Sequence, residues 1–255
     1  MGDKDRTRYG GHTICSSVET ESGDRLIIDA GTGIRRLGER IVMKGDKIPV
    51  RADILMTHFH LDHIIGLPFF APLYEKKAVI HFYSPYTTEE TEYYLKGLMS
   101  GRYFPVEFDE TPARKVIHQI KKEPFIIGSV QIKCCPLRHP QGSVAYRLTA
   151  DETSIVMATD TEHPEQGVDE SLAEFARGAG VFVYDATFTP EEYDAGRRGW
   201  GHSTWLEGTR LARTAGVGKL YLSHFNPGHT DAMIDAFVSL AKEKFPDTLG
   251  AEETV

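Results

Sequence analysis

Thr57-His58-Phe59-His60-Leu61-Asp62-His63 is the stretch on which the reading of this chain turns. Three imidazoles and one carboxylate fall within the six positions 58–63. Ala52-Asp53-Ile54-Leu55-Met56 precedes the stretch, and Ile64-Ile65-Gly66-Leu67-Pro68 follows it. The preceding run reads as a short buried strand, with the cluster at its exit. Side chains two apart on extended backbone point the same way, so His58 and His60 face together. Asp62 and His63 come after the chain has turned and address a second position close by. Imidazole nitrogen and carboxylate oxygen are ligands that zinc accepts. The spacing suits two adjacent ions, each with its own pair of ligands. A packing explanation is costly, because burying that many polar groups without partners is unfavourable by several kcal/mol.

Around this stretch lie 255 residues, enough for one large domain with a sizeable core. Charged residues make up 26% and hydrophobic ones 40%, which places the chain in the globular class. The net charge of −8 argues against a polyanionic partner. Cys15, Cys134 and Cys135 form neither a CxxC pair nor a disulfide framework, and fit a reducing compartment such as the cytoplasm. They read as small buried or half-buried hydrophobes. Met1-Gly2-Asp3-Lys4-Asp5-Arg6 lacks the apolar core of a signal peptide, and no apolar run approaches a membrane span.

Taken in order, strands are expected at 13–18, 25–28, 78–83, 115–120, 125–135, 144–148, 154–158, 181–184 and 219–223. Helices are expected at 34–43, 87–99, 169–177, 204–215 and 231–243, with a short helical piece at 67–75. Thr87 or Thr88 is the expected cap of one helix, and Ser203 or Thr204 of another. The tail 246–255 reads as loose. Gly31-Thr32-Gly33 lacks the full dinucleotide pattern and the Walker lysine, and reads as a turn. Asp29 just before it either bonds the turn amides or orients a ligand histidine. The loop 100–106 carries Arg102, Tyr103 and Phe104, whose side chains pack or line a cleft. A pattern recurs: apolar strands end in Asp29, His58, Asp160, Asp185 and His224, and His139 sits just beyond another. Side chains at strand ends on one side of a sheet converge on one cleft.

With those residues in view, the chain resembles the metallo-β-lactamase-fold hydrolases. The HxHxDH signature stands as His58, His60, Asp62 and His63, followed by His139, Asp160 and His224 in the family's order. The resemblance runs from about residue 10 to about residue 235. It implies a single domain over 1–255 with a four-layer αββα sandwich, an α/β fold. Family members open with a strand before the position of Tyr9-Gly10-Gly11-His12-Thr13; almost nothing precedes it here, so that first strand is expected to be missing. The resemblance also implies two divalent ions, zinc first, with manganese or iron(II) as alternatives. His58, His60 and His139 resemble the ligands of one ion. Asp62, His63 and His224 resemble those of the other, and Asp160 resembles the bridging carboxylate. The flavodiiron branch has Glu where this chain has His60, which favours a hydrolase.

Within the family the chain is most similar to the phosphodiesterase branch that includes ribonuclease Z. Asp185-Ala186-Thr187-Phe188, His202-Ser203-Thr204 and Ser223-His224-Phe225 resemble that branch's late motifs. On this likeness a metal-bridging hydroxide attacks phosphorus, with Asp62 in the catalytic set. His202 protonates the leaving oxygen, and Asp185 orients it. Ribonuclease Z carries a long basic arm between the histidine and the bridging aspartate. Here twenty residues separate His139 from Asp160 and read as two strands and a turn. The expected substrate is therefore a small or cyclic phosphodiester, as for the cyclic ribose phosphate phosphodiesterase of phosphonate breakdown, and not RNA. A homodimer is expected from the branch. Arg102 and Arg138 are candidate phosphate contacts. Alternatives are a thioester or lactone hydrolase of glyoxalase II type, an RNA-processing nuclease, and a metal-dependent sensor without turnover.

Overall fold

Short β-rich segments bounded by polar turns build two mixed sheets, and helices with one apolar face cover them. The computed structural model describes residues 5–43 and 50–253. The expectation for the N-terminus thus falls partly outside the described residues at 1–4, and that for the tail at 254–255. The chain divides into two compact units. One comprises His12–Lys121 with Ile127–Ser129; the other holds the described residues of Met1–Gly11, Lys122–Ile126 and Val130–Thr254. They are called the N-terminal and C-terminal units below.

The N-terminal unit carries a five-stranded sheet in chain order: β1 (Ser16–Glu19), β2 (Arg25–Ile28), β3 (Arg51–Leu55), β4 (Val79–Ser84) and β5 (Arg114–Gln119). β1 is antiparallel to β2, and β2 to β5 run parallel. Helix α1 (Ile34–Met43) buries Ile34, Leu37 and Ile41, the spacing of one helical face. These residues join Ile54, Ile80 and Phe82 of the sheet in one core. Helix α2 (Leu61–Ile64) is a single turn inside the histidine stretch. The piece expected at 67–75 is two 3₁₀ turns, Leu67–Phe69 and Ala71–Tyr74. Helix α3 (Thr88–Leu98) begins with the expected cap: the Thr87 hydroxyl accepts from Glu90 N, and the Glu90 carboxylate accepts from Thr87 N.

The C-terminal unit carries a seven-stranded sheet in the order β12-β11-β10-β9-β8-β7-β6. Its strands are β6 (Phe125–Ile127), β7 (Val130–Leu137), β8 (Ser143–Ala150), β9 (Thr153–Ala158), β10 (Val181–Asp185), β11 (Lys219–Ser223) and β12 (Thr248–Gly250). β9 to β12 are parallel; β7, β8 and β9 are antiparallel. The helices are α4 (Glu170–Ala176), α5 (Pro190–Asp194), α6 (Trp205–Ala215) and α7 (Asp231–Lys244). Leu211, Ala212, Ile234 and Phe237 from the helices meet Phe182, Tyr184, Leu220 and Leu222 from the sheet. Thr204 caps α6.

Three expectations are corrected. The single strand at 125–135 is two, because Gly128 takes φ 57 and the chain reverses there; Asp24 accepts from Ser129 N at 2.8 Å and pins the turn. The strand expected from Thr13 starts at Ser16, since Thr13 is engaged with Thr32 in reciprocal side chain–backbone bonds of 2.7 and 2.8 Å. The tail expected to be loose contains β12, which pairs with β11 from Leu220↔Thr248 to Leu222↔Gly250. The cysteines are free thiols, Cys135 buried and the other two half-buried. Burial pushes the Cys15 thiol up to about 12, so it stays protonated at neutral pH. No helix among the described residues is long and apolar enough to cross a membrane.

Candidate metal centre

In the N-terminal unit the site grows from two neighbouring parallel strands. β2 and β3 pair from Leu26↔Asp53 to Ile28↔Leu55, so both release the chain at the same sheet edge. β2 leads to Asp29, and β3 leads through Met56 to Thr57 and His58. Asp29 is fully buried and takes φ 60, a left-handed conformation that aspartate tolerates better than most residues. Its carboxylate accepts three bonds, each of 2.8 Å: from Thr57 N, from the Thr57 hydroxyl and from His63 Nδ1. Of the two sequence readings of Asp29, orienting a histidine is the one realised. Gly31 permits the close approach this needs, since a Cβ there would lie 2.4 Å from the Asp62 carbonyl oxygen and 2.5 Å from that of Ile14. Gly31-Thr32-Gly33 is the expected turn, with Ile34 N donating to the Gly31 carbonyl oxygen at 3.0 Å.

These bonds also fix which imidazole nitrogens carry protons. A carboxylate only accepts, so His63 donates from Nδ1. The Thr57 hydroxyl spends its hydrogen on Asp29, so at 3.0 Å it accepts from His58 Nδ1. In the neutral form of both rings Nε2 then carries the lone pair. His58 and His63 are buried, and their rings lie 4.2 Å apart, with His60 4.5 Å from His58. Candidate ligand atoms of His58 and His60 lie within 4.8 Å of one another, as do those of Asp62 and His63.

The C-terminal unit repeats the device with three adjacent parallel strands. β9, β10 and β11 end in step, with Tyr184 opposite Ala158 and Asp185 opposite Ser223. They deliver Asp160, Asp185 and His224. Asp160 and His224 take φ 58 and 59. Asp185 is fully buried and organises the cluster: one oxygen accepts from Asp160 N (2.9 Å) and His202 Nδ1 (3.0 Å), the other from Thr187 N (3.0 Å) and Ser203 N (3.1 Å). The Thr187 hydroxyl donates to the His224 carbonyl oxygen and therefore accepts from His224 Nδ1 at 3.1 Å. His139 Nδ1 donates to the Gly201 carbonyl oxygen at 2.8 Å. His224 Nε2 is 3.4 Å from Asp160 Oδ2, and His139 Nε2 is 4.0 Å from Asp160 Oδ1. Candidate ligand atoms of Asp185, His202 and His224 lie within 4.8 Å of one another. The His202 ring stacks on that of His224 at 5.1 Å and 18°. Burial pulls the His202 pKa down, but the bond to Asp185 and its charge outweigh it and hold it above the usual histidine range.

The donor set fits divalent ions. His58, His63, His139 and His224 each give their Nδ1 proton to an oxygen and keep Nε2 for a ligand bond, the arrangement that ligating histidines adopt. The sequence missed the two threonines that do half of this work, Thr57 and Thr187. Each immediately precedes or closely follows a candidate residue, which is the only signal they leave. Among the lesser candidates, Phe104 packs edge-on against Phe69 at 5.6 Å, while Arg102 and Tyr103 are exposed. Arg138 is exposed and 3.4 Å from Asp169.

Residues 24–225 match the family model of the Beta-lactamase superfamily domain, and the chain belongs to that superfamily. Its fold is the α/β metallo-β-lactamase fold with two mixed sheets, and it is a metal-dependent hydrolase with a His- and Asp-rich metal site. The chain is similar to ribonuclease Z of Bradyrhizobium sp. (strain ORS 278), at 25% identity over 89% of this chain and 87% of that one. Among solved structures it is similar to the metallo-β-lactamase fold protein YhfI from Bacillus subtilis (TM-score 0.69, 20% identity, 98% and 95% of the two chains). It is also similar to a diphosphatase from the PhnP family (TM-score 0.64, 21% identity, 94% and 81%).

Proposed function

We propose that the protein is a dinuclear phosphodiesterase acting on a small or cyclic phosphodiester. His58, His60 and His139 would hold one ion, Asp62, His63 and His224 the other, and Asp160 both. Two such ions supply a water acidified towards neutral pH and charge to offset that building on the phosphoryl oxygens. The chain's own residues do the rest. Asp29, Thr57, Thr187 and the Gly201 carbonyl hold the ligand imidazoles in one tautomer. Asp62 adds a negative ligand at the half-exposed end of the histidine stretch.

The observation that carries the reading is the Asp185–His202 pair. Hydrolysis of a phosphodiester releases an alkoxide, a poor leaving group that needs a proton. His202 gives Nδ1–H to a buried carboxylate and stacks on His224, so its Nε2 is the atom that holds and delivers that proton. The names of the similar proteins, a ribonuclease Z and a diphosphatase, agree with phosphoester chemistry. Smallness of the substrate is supported by the stretch between His139 and Asp160. Ala150 pairs with Thr153 across a two-residue turn, Asp151 and Glu152 at φ 51 and 60, so β8 and β9 form a tight hairpin where a clasping arm would otherwise emerge.

The zinc- or manganese-loaded protein is expected to cleave bis(p-nitrophenyl) phosphate, and His60→Ala to abolish cleavage. His202→Ala is expected to slow cleavage of an alkyl phosphodiester about 10²–10⁴-fold with normal metal content, and to affect the p-nitrophenyl ester, whose phenolate leaves without a proton, much less. Absence of turnover on a panel of linear and cyclic phosphodiesters, with turnover on thioesters or lactones assayed in parallel, would overturn the proposal. Tight retention of RNA in a mobility-shift assay would overturn the small-substrate part alone.

A further inference from the structure

Glu162 stands two residues beyond Asp160, outside the family motif and outside every role assigned above. Its carboxylate accepts three hydrogen bonds. One oxygen accepts from the Tyr193 hydroxyl at 2.6 Å and from Gly199 N at 2.8 Å; the other accepts from Gly201 N at 2.9 Å. Its own N–H donates to the Arg138 carbonyl oxygen at 2.7 Å. The segment it grips has little regular structure of its own. Gly196, Gly199 and Gly201 take φ 111, 80 and 83, so the segment needs outside ties to hold a single shape.

What the segment then does is presented by Gly201. Its N–H is held by Glu162 and its carbonyl oxygen accepts from His139 Nδ1. The contact is close: a Cβ on Gly201 would lie 2.3 Å from His139 Nδ1 and from Pro140 Cδ. The bonds close a ring from the Arg138 carbonyl to Glu162 N, from the Glu162 carboxylate to Gly201 N, and from the Gly201 carbonyl to the His139 imidazole. A glutamate that only stapled a surface loop would not need its bonds to return to a histidine whose side chain is 1% exposed.

We propose that Glu162 is the positioning residue for His139. Acting through the Gly201 peptide, it fixes the orientation and tautomer of the ring, and so the affinity of the ion that His139 would hold. The inference rests on the metal reading of His139, and its test separates the two. Metal-free wild type, Glu162→Ala, Glu162→Gln, Tyr193→Phe and Gly201→Ala are compared by imidazole nitrogen NMR and by metal titration against a chromophoric chelator.

In the wild type His139 is expected as the single Nδ1–H tautomer, with two ions bound per chain. Glu162→Ala is expected to give mixed tautomers at His139 and a 10–100-fold loss of affinity for one ion, the other unchanged. Glu162→Gln keeps an acceptor oxygen and is expected to fall between. Tyr193→Phe, which leaves the Gly201 link intact, is expected to behave as wild type. Gly201→Ala, which forces the peptide off the ring, is expected to match Glu162→Ala. Unchanged tautomer and affinity in Glu162→Ala would overturn the proposal. If that variant does not fold, Glu162→Gln decides: equal loss of both ions, or loss of neither, would overturn it. A wild type that binds no metal sinks the metal reading itself, while the tautomer comparison still tests the link.

Discussion

Replacing Asp29 with Asn tests the tautomer argument at its tightest point. Asn tolerates the left-handed backbone of position 29, φ 60, almost as Asp does. Its amide oxygen can still accept from Thr57 N, as Asp29 Oδ1 does at 2.8 Å. The amide nitrogen then faces the Thr57 hydroxyl and His63 Nδ1, where Asp29 Oδ2 accepts two bonds of 2.8 Å. An amide N–H cannot accept, so His63 must offer Nδ1 as the acceptor and carry its proton on Nε2. That is the nitrogen needed for the metal. Disturbing such an outer partner of a ligating histidine costs about 10–100-fold in metal affinity, or roughly 1.4–2.8 kcal/mol. The fold loses less, about 0.5–1.5 kcal/mol for one weakened hydrogen bond. Asp29→Ala is the contrast. It leaves three buried donors without an acceptor, at about 1–3 kcal/mol each, and should destabilise the metal-free protein outright. Chelator competition at neutral pH reads the first effect and urea unfolding in EDTA the second. Wild-type metal affinity in Asp29→Asn would refute the reasoning, because His63 would then ligate without a fixed tautomer.

Two further outcomes are expected. Gly66→Ala places a Cβ 2.0 Å from the Gly31 carbonyl oxygen, a backbone atom that cannot step aside, and should cost at least about 1–3 kcal/mol; Gly97→Ala, with open space around it in α3, should be neutral or slightly stabilising, and equal melting temperatures for the two variants would contradict this. His81 Nδ1 and His118 Nε2 are hydrogen-bonded at 2.8 Å with Tyr83 stacked on His118, and burial holds both imidazoles below the usual histidine range. With folded values below the unfolded value of about 6.5, their contribution to stability is complete above that pH and is lost as pH falls through the folded values. The urea midpoint in EDTA should therefore drop between pH 6.5 and 5.5 by more in the wild type than in the His81→Gln, His118→Gln double variant; an equal drop would refute this.

The strands that deliver the candidate site residues were legible because they are short, largely apolar and lead into a titratable residue. Asp29, His58, Asp160, Asp185 and His224 could each be placed from that pattern alone. Helix starts were legible where a hydroxyl stands three residues before a free backbone N–H, as at Thr87 and Thr204. What escaped was contact between residues distant in sequence. The part Thr57 plays depends on Asp29, 28 residues away, and that of Gly201 on His139, 62 residues away. Neither threonine nor glycine advertises such a role. The turn at Gly128 was missed because Phe125-Ile126-Ile127 and Val130-Gln131-Ile132 read as one apolar run. The strand β12 was missed because its three residues pair only once β11 is in place.

The left-handed backbone at Asp29, Asp160 and His224 narrows what these positions can become. A β-branched residue is excluded there by its own sterics before any question of metal arises, whereas Asn and Gly are accepted. A random library at these three codons should therefore sort into two populations. Most replacements would fail as folding lesions. Asn at all three positions, and Gly at 160 and 224, would survive as folded chains with altered site chemistry and report on metal binding, whereas Gly at 29 would strand the three buried donors that Asp29 accepts and fail with the rest.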